Sequence, residues 1–291
     1  MAVALSLLAN AAAVVVLLRW WLGARAWWVT ALTGLAVLLL EPVRDTFSFG
    51  QVNLLLLLLV CLDARGLVAG KRWAGAGIGL AAAIKLTPAV FVVWLLVTRR
   101  FRAAAVAAGT AAGATIVTAV AAPEASRTFW TAAVWDTGRV GRTAYVSNQS
   151  LRGVAARLDL DPRWWVLLVA AALLVWYVRV RGTDPLTGCA LTGVLACLIS
   201  PVTWVHHLVW LLPALFLVRR VAVLVTLWFV LCSSVVWIWW DGGSGPLAAV
   251  GANTYAGVAV LLLILISPGV RAVDRWRSPA APSLARHGLD S

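Results

Sequence analysis

Charge is scarce in this chain. Asp, Glu, Lys and Arg make up 12% of its 291 residues, hydrophobic residues make up 63%, and mean hydropathy is +0.93. A soluble domain of this length has too little interior to hide so much apolar surface, which excludes a water-soluble enzyme or a nucleic-acid-binding module. The net charge of +13 therefore does not point to nucleic acid. Strand-like alternation is also missing. Backbone polar groups in lipid must be satisfied within their own segment, so repeated apolar runs without alternation imply an all-α, polytopic membrane protein.

Cysteine is sparse and unpatterned. Cys61, Cys189, Cys197 and Cys232 lie in apolar runs without CxxC or His–Cys spacing, which argues against a disulfide framework or a zinc site and leaves small hydrophobic side chains. Lysine is almost absent: Lys71 and Lys85 stand among 24 basic residues. Arginine in place of lysine, with heavy use of Ala, Gly and Val, points to a GC-rich bacterial gene. No internal repeat is visible, which disfavours a transporter built from paired half-repeats.

What is present is a series of apolar segments near 2–18, 26–40, 52–62, 73–84, 88–97, 103–122, 164–180, 187–200, 205–218, 221–240 and 253–267. Several fall short of the ~20 residues that a perpendicular span requires, which predicts tilted, broken or re-entrant helices. Residues 73–97 carry basic clusters at both ends, Lys71-Arg72 and Arg99-Arg100 with Arg102. Both clusters favour the cytoplasm, so the stretch divides into a hairpin turning at Ile84-Lys85-Leu86-Thr87-Pro88. There Thr87 is the expected N-cap and Pro88 the first helical position of the second arm.

With that division one face collects 16 of the 24 basic residues and four acids, Asp63, Asp184, Asp274 and Asp290, and the other holds eight basic and seven acidic residues. The first face is the cytoplasmic one. The outer face then receives the polar departures from the membrane pattern: Glu41 to Asp45, the Lys85 turn, a loop from about 123 to 163, Ser200 to His207 and Asp241-Gly242-Gly243. An extracytoplasmic site follows. The same topology leaves Met1 outside, with nothing upstream to translocate it, so we expect a longer protein whose N-terminal portion this sequence lacks. Residues 1–268 read as the membrane domain, and 269–291 as a cytoplasmic, Arg- and Pro-rich tail without fixed structure at the inner surface of the plasma membrane.

Four constellations carry chemistry. In SPVTWVHHLVWLLP, a helix beginning just after Pro201 puts Thr203, His206 and Trp210 on one face and His207 on the next, and its free N–H groups favour an anion. Interfacial histidines with wet tips are the plainer reading; of the two rings, His206 is favoured to face the site. Lys85 sits amid apolar sequence, where it either snorkels or clamps a phosphate beside the Thr87 helix start. The segment Tyr145 to Gly153 offers Asn148, Gln149 and Arg152 for hydroxyls or phosphate, with Ser147 or Asn148 as helix cap, or is a solvated loop. Glu41 and Asp45 are candidate general bases, or partners of Arg44; Gln51 and Asn53 place two amides at the head of the next helix.

The blocks GQVNLLLLLLVCLDARG, GLAAAIKLTPAVFVVWLLVTRR, SNQSLRGVAARL and SPVTWVHHLVWLLP, in that order across residues 41 to 213, resemble glycosyltransferase family 87. That family comprises polyprenol-phosphate-mannose-dependent α-(1→2)-mannosyltransferases of mycobacteria and relatives, with related arabinofuranosyltransferases. The resemblance implies a GT-C-type bundle in an actinobacterial cell envelope. It implies a polyprenyl-phosphate-mannose donor (or arabinose donor), a lipid-anchored glycan acceptor on the extracytoplasmic side, and an inverting single displacement without metal or cofactor. Lys85, Thr87, Arg152, His206 and His207 then fall near the donor phosphate, and Gln51, Asn53, Asn148 and Gln149 line the site. The family's base is expected in a first outer loop that this sequence lacks, leaving Asp45 or Glu41 as the substitute. A lipid-linked-sugar flippase is the rival of another class.

Overall fold

The computed structural model describes residues 2–23, 25–136 and 141–266. The tail at 269–291 and the start at Met1 lie outside them. The chain runs through α1 (Ala2–Leu22), α2 (Trp27–Leu39), α3 (Glu41–Ser48), α4 (Asn53–Val68), α5 (Ala76–Ile84), α6 (Val90–Val97), α7 (Phe101–Ala121) and α8 (Pro123–Thr128). It continues through α9 (Leu151–Arg157), α10 (Pro162–Val180), α11 (Pro185–Ile199), α12 (Leu212–Leu217), α13 (Val221–Cys232), α14 (Pro246–Gly251) and α15 (Thr254–Leu265). Short 3-10 helices lie at Thr87–Ala89, Val205–Leu211 and Val235–Trp239. Every regular element among the described residues is helical, the all-α architecture that the hydropathy pattern predicts.

By length and composition α1, α7 and α10 can each cross a membrane. α2 and α3 form a fourth candidate broken by 75°. Leu40 between them is extended (ψ 127°), and Pro42 in the first turn of α3 lacks the N–H that a continuous helix would need. The centre belongs to α11, buried on all sides from Leu186 to Leu198. A helix apolar all round is stable only inside a bundle. α11 packs on α4, α6, α10, α12, α15 and the Val205–Leu211 helix. Asp184 starts it by accepting from the amides of Leu186 (2.9 Å) and Thr187 (3.1 Å), with Pro185 in the first turn. Small residues allow the close approach: a Cβ on Gly188 would lie 2.5 Å from Trp94 Nε1.

The hairpin at Lys85 is present. Gly75 abuts Ala103 and Ala107 while Gly79 abuts Ala107 and Thr110, so α5 and α7 run in the same direction and α6 must return between them. Arg102 donates to the Lys71 carbonyl (3.0 Å), bringing the two basic clusters together at the end opposite Lys85. One detail differs from expectation. Leu86 already has helical dihedrals (φ −64°, ψ −28°) and is itself the N-cap, so Thr87 comes a residue too late and makes no side-chain cap. A 3-10 turn precedes α6, which begins only at Val90. The expected loop at 123–163 also holds α8, a π-helical turn at Phe129–Ala133, and α9.

Candidate functional site

At the Lys85 end of the bundle, polar groups gather around the head of α4. The chain enters α4 through Gly50 (φ +59°), and the turn is held by α1, whose Ser6 hydroxyl reaches the Gly50 (2.9 Å) and Gln51 (3.0 Å) carbonyls. Asn10, fully buried in α1, donates to the Gln51 carbonyl and accepts from the Leu55 amide (3.3 Å). A lone Asn in an apolar helix is the signal by which sequence reading could have found this support.

Asn53, fully buried at the start of α4, donates to the His206 carbonyl (3.2 Å) and accepts from Lys85 Nζ (3.1 Å). Thr46 of α3 donates to the same carbonyl (3.1 Å). Lys85 Nζ lies 2.8 Å from His207 Nε2. The Trp204 amide donates to His207 Nδ1 (3.2 Å) and so fixes the ring. At 2.8 Å the Lys85–His207 contact is a hydrogen bond, one nitrogen donating and the other accepting. An ammonium has three N–H donors, so Lys85, hydrogen-bonded to Asn53 and His207, keeps one for an anionic oxygen.

The histidines lie otherwise than expected. Thr203 is held outside the helix, its amide on Asn148 Oδ1 (2.9 Å) and its hydroxyl on the Cys197 carbonyl (2.7 Å), while Ser147 accepts from the Val205 amide (3.3 Å). Helix therefore begins at Val205, as 3-10, and not just after Pro201. That shift brings His207 to Lys85. The His206 ring, the one favoured from the sequence, instead meets Phe49 edge-on at 5.4 Å and His207 at 4.5 Å.

Asn148 and Gln149 are fully buried, and their amides are taken up by main chain. Asn148 donates to the carbonyls of Thr143 (3.0 Å) and Pro201 (3.4 Å) and accepts from the amides of Ser150 (3.3 Å) and Thr203. Gln149 donates to Val146 (2.6 Å) and Ala252 (2.9 Å) and accepts from Ala256 (3.0 Å). Neither presents a free amide to a ligand, contrary to the expectation that they line the site: an amide this deep must find main-chain partners. Ser150, not Ser147 or Asn148, caps α9, accepting from the Gly153 amide (3.1 Å). Arg152 is placed over the Trp165 ring of α10 at 5.4 Å, away from its expected role at the phosphate. It is Arg157, unremarked in the sequence, that ties this loop together, through Asn253 Oδ1 (2.6 Å) and the Tyr145 carbonyl (2.9 Å).

The two carboxylates also part. Glu41, 2% exposed, accepts from the Trp237 indole and the Tyr255 hydroxyl. Buried Trp and Tyr polar atoms need such partners, and both oxygens of Glu41 are thereby engaged. Asp45 lies one turn on along α3, half-buried, with a side chain that makes no hydrogen bond among the described residues. Arg44 pairs with neither; it donates to Ser234 Oγ (3.0 Å). The side chains of Gln51 and Thr87 are half-buried and form no hydrogen bond. No group of three His, Cys, Asp or Glu side chains able to hold a metal comes together among the described residues.

Comparison with known proteins bears on this arrangement. The chain is 38% identical over 207 residues to the polyprenol-phosphate-mannose-dependent alpha-(1-2)-phosphatidylinositol mannoside mannosyltransferase of Mycolicibacterium smegmatis, covering 66% of this chain and 47% of that protein. It is 36% identical over 203 residues to the protein of the same description from Mycobacterium tuberculosis, covering 67% and 47%. A phosphatidylinositol pentamannoside mannosyltransferase of Mycobacterium tuberculosis is 36% identical over 184 residues, covering 60% and 42%. The chain thus spans about half the length of these curated relatives. No solved structure matches it. The family model for glycosyltransferase family 87 matches residues 1–201, a stretch that contains Asn53, Lys85 and the Asn148 loop, and the chain belongs to that family.

Proposed function

We propose that this chain carries the lipid-phosphate end of a membrane mannosyltransferase. In this reading the enzyme moves mannose from a polyprenyl-phosphate-mannose donor to a lipid-anchored glycan, of the phosphatidylinositol mannoside type, on the extracytoplasmic face. One observation supports it most: Lys85 Nζ and His207 Nε2 converge at 2.8 Å, backed by Asn53 and fixed by the Trp204 amide. An ammonium hydrogen-bonded to Asn53 and His207 keeps one donor free, and a phosphate oxygen is an acceptor for it. In the displacement, an acceptor hydroxyl attacks the anomeric carbon and the carbon–oxygen bond to phosphate breaks. The departing lipid phosphate keeps the electron pair, and Lys85, held by Asn53 and His207, neutralises its charge. The hydroxyl proton passes to a carboxylate, for which Asp45 is the unengaged candidate on α3, the helix packed against the histidine segment. The names of the relatives favour mannose over arabinose.

Binding tests this without requiring turnover. The purified chain in nanodiscs is expected to bind polyprenyl phosphate, and Lys85→Met to weaken that binding at least tenfold. Unchanged affinity in Lys85→Met would remove the phosphate from this position.

A further inference from the structure

Three aromatic rings form an arc that begins at Trp204, on the segment carrying His207. Trp204 supplies the amide that fixes His207. Its ring meets Tyr145 edge-on, with centroids 6.0 Å apart at 70°. Tyr145 meets Trp237 in the same manner, at 5.9 Å and 66°. Trp237 donates its indole N–H to Glu41 on α3, the helix that carries Asp45. The arc therefore links the Trp204 main chain, which contacts His207, to Glu41 of α3 through the Trp237 indole.

Tyr145 is 40% exposed, its hydroxyl makes no hydrogen bond to a described residue, and Trp204 and Trp237 are half-buried on either side of it. Rings of a membrane-interface belt keep their polar edges toward the headgroups. Here the Trp237 indole N–H points inward to a buried carboxylate, so the arc is fixed to the site. Two further contacts hold Tyr145 through its backbone: its carbonyl accepts from the Arg157 guanidinium (2.9 Å) and from the Asn148 amide (2.8 Å). An aromatic face held rigid in this way suits a ligand with C–H groups on one face and hydroxyls on its rim. A pyranose has that shape, and its C–H edges meet the electron-rich ring faces.

We propose that the Trp204–Tyr145–Trp237 arc is the platform for the sugar ring of the lipid-phosphate-sugar donor. Lys85 and His207 then hold the phosphate on one side of that ring and α3 brings its carboxylates to the other. This rests on the reading of Lys85–His207 as the phosphate position, and the two are separable by experiment.

The test compares two ligands on the chain in nanodiscs: polyprenyl-phosphate-mannose and polyprenyl phosphate without sugar. Tyr145→Leu keeps both backbone contacts and removes the ring. It is expected to weaken binding of the mannosylated lipid about tenfold, an aromatic contact's usual worth, and to leave binding of the bare lipid phosphate within twofold. Tyr145→Phe is expected to bind both like the parent chain. The proposal is overturned if Tyr145→Leu weakens both ligands alike or neither, or if Tyr145→Phe fails to rescue. Weakening confined to a soluble phosphatidylinositol mannoside acceptor would also overturn it, as would a parent chain that binds both lipids equally. Lys85→Met in the same assay is expected to weaken both ligands. Should it weaken neither, the phosphate reading fails while the Tyr145 comparison between the ligands still stands.

Discussion

At the Ser147–Ser150 loop every buried amide has its full set of main-chain partners, whereas at the Lys85 turn a lysine and an imidazole face each other with one lone pair between them. Both regions are polar patches in an oily sequence, both lie against the Trp204–His207 segment, and by composition they are indistinguishable. The difference is saturation. A buried amide whose donors and acceptor are all engaged holds the fold, while an ammonium with a third donor to spare can still take a ligand. The comparison breaks most visibly at Lys85. Lys85→Met is expected to lower mannose transfer from the polyprenyl-phosphate donor by roughly 10²–10³, the range for loss of one preorganised donor to a developing anion. Transfer assayed in proteoliposomes at parental rate would end the distinction drawn between the two regions.

The opposite behaviour is expected of Asn148. Asn148→Ala strips partners from the carbonyls of Thr143 and Pro201 and the amides of Ser150 and Thr203. Leaving buried main-chain groups unpaired costs about 1–3 kcal/mol each at the upper end of such losses. Denaturant titration in detergent should therefore show a large drop in stability, while the fraction that remains folded keeps polyprenyl phosphate affinity within a few-fold. A stable Asn148→Ala protein that no longer binds the lipid would place this loop in the site after all.

The histidines sharpen the comparison at the scale of one residue. His207→Ala removes the Nε2 group opposite Lys85, and a tenfold or greater loss of lipid-phosphate affinity is expected. His206→Ala removes a ring that meets Phe49 edge-on and leaves intact the carbonyl that Asn53 and Thr46 grip, so a loss of threefold or less is expected. Equal, mild losses in a binding isotherm would return both rings to an interfacial role.

These contrasts also explain how much could be read from the sequence. Hydropathy and basic clusters located the segments and the Lys85 hairpin, because apolar length and charge are properties of the chain itself. Lys85, Asn53 and the His206–His207 pair were visible for the same reason: each is a polar residue where the local pattern calls for an apolar one. What partners those residues have was hidden. Gln149 meets Ala252 and Ala256, and Glu41 meets Trp237 and Tyr255, across more than a hundred residues. No local periodicity encodes such pairs. The choice between the histidines was hidden too, since it turns on where helix begins after Pro201, and the Asn148 and Ser147 side chains set that start from fifty residues upstream.

The smallest expected effect concerns Arg152, whose guanidinium sequence reasoning placed at the phosphate and whose position in the fold is over Trp165. A cation–aromatic contact at a partly exposed site contributes about 0.5–1 kcal/mol. Arg152→Ala should thus lower stability by that amount, through the α9–α10 contact alone, and leave polyprenyl phosphate binding within twofold. Arg157, five residues on, ties the Tyr145 carbonyl to Asn253 from the other side of the same short helix, and its loss should be felt at Tyr145. If binding isotherms show Arg152→Ala losing lipid phosphate affinity as Lys85→Met does, the cation belongs to the site, and α9 must swing from α10 toward Lys85 when the donor enters.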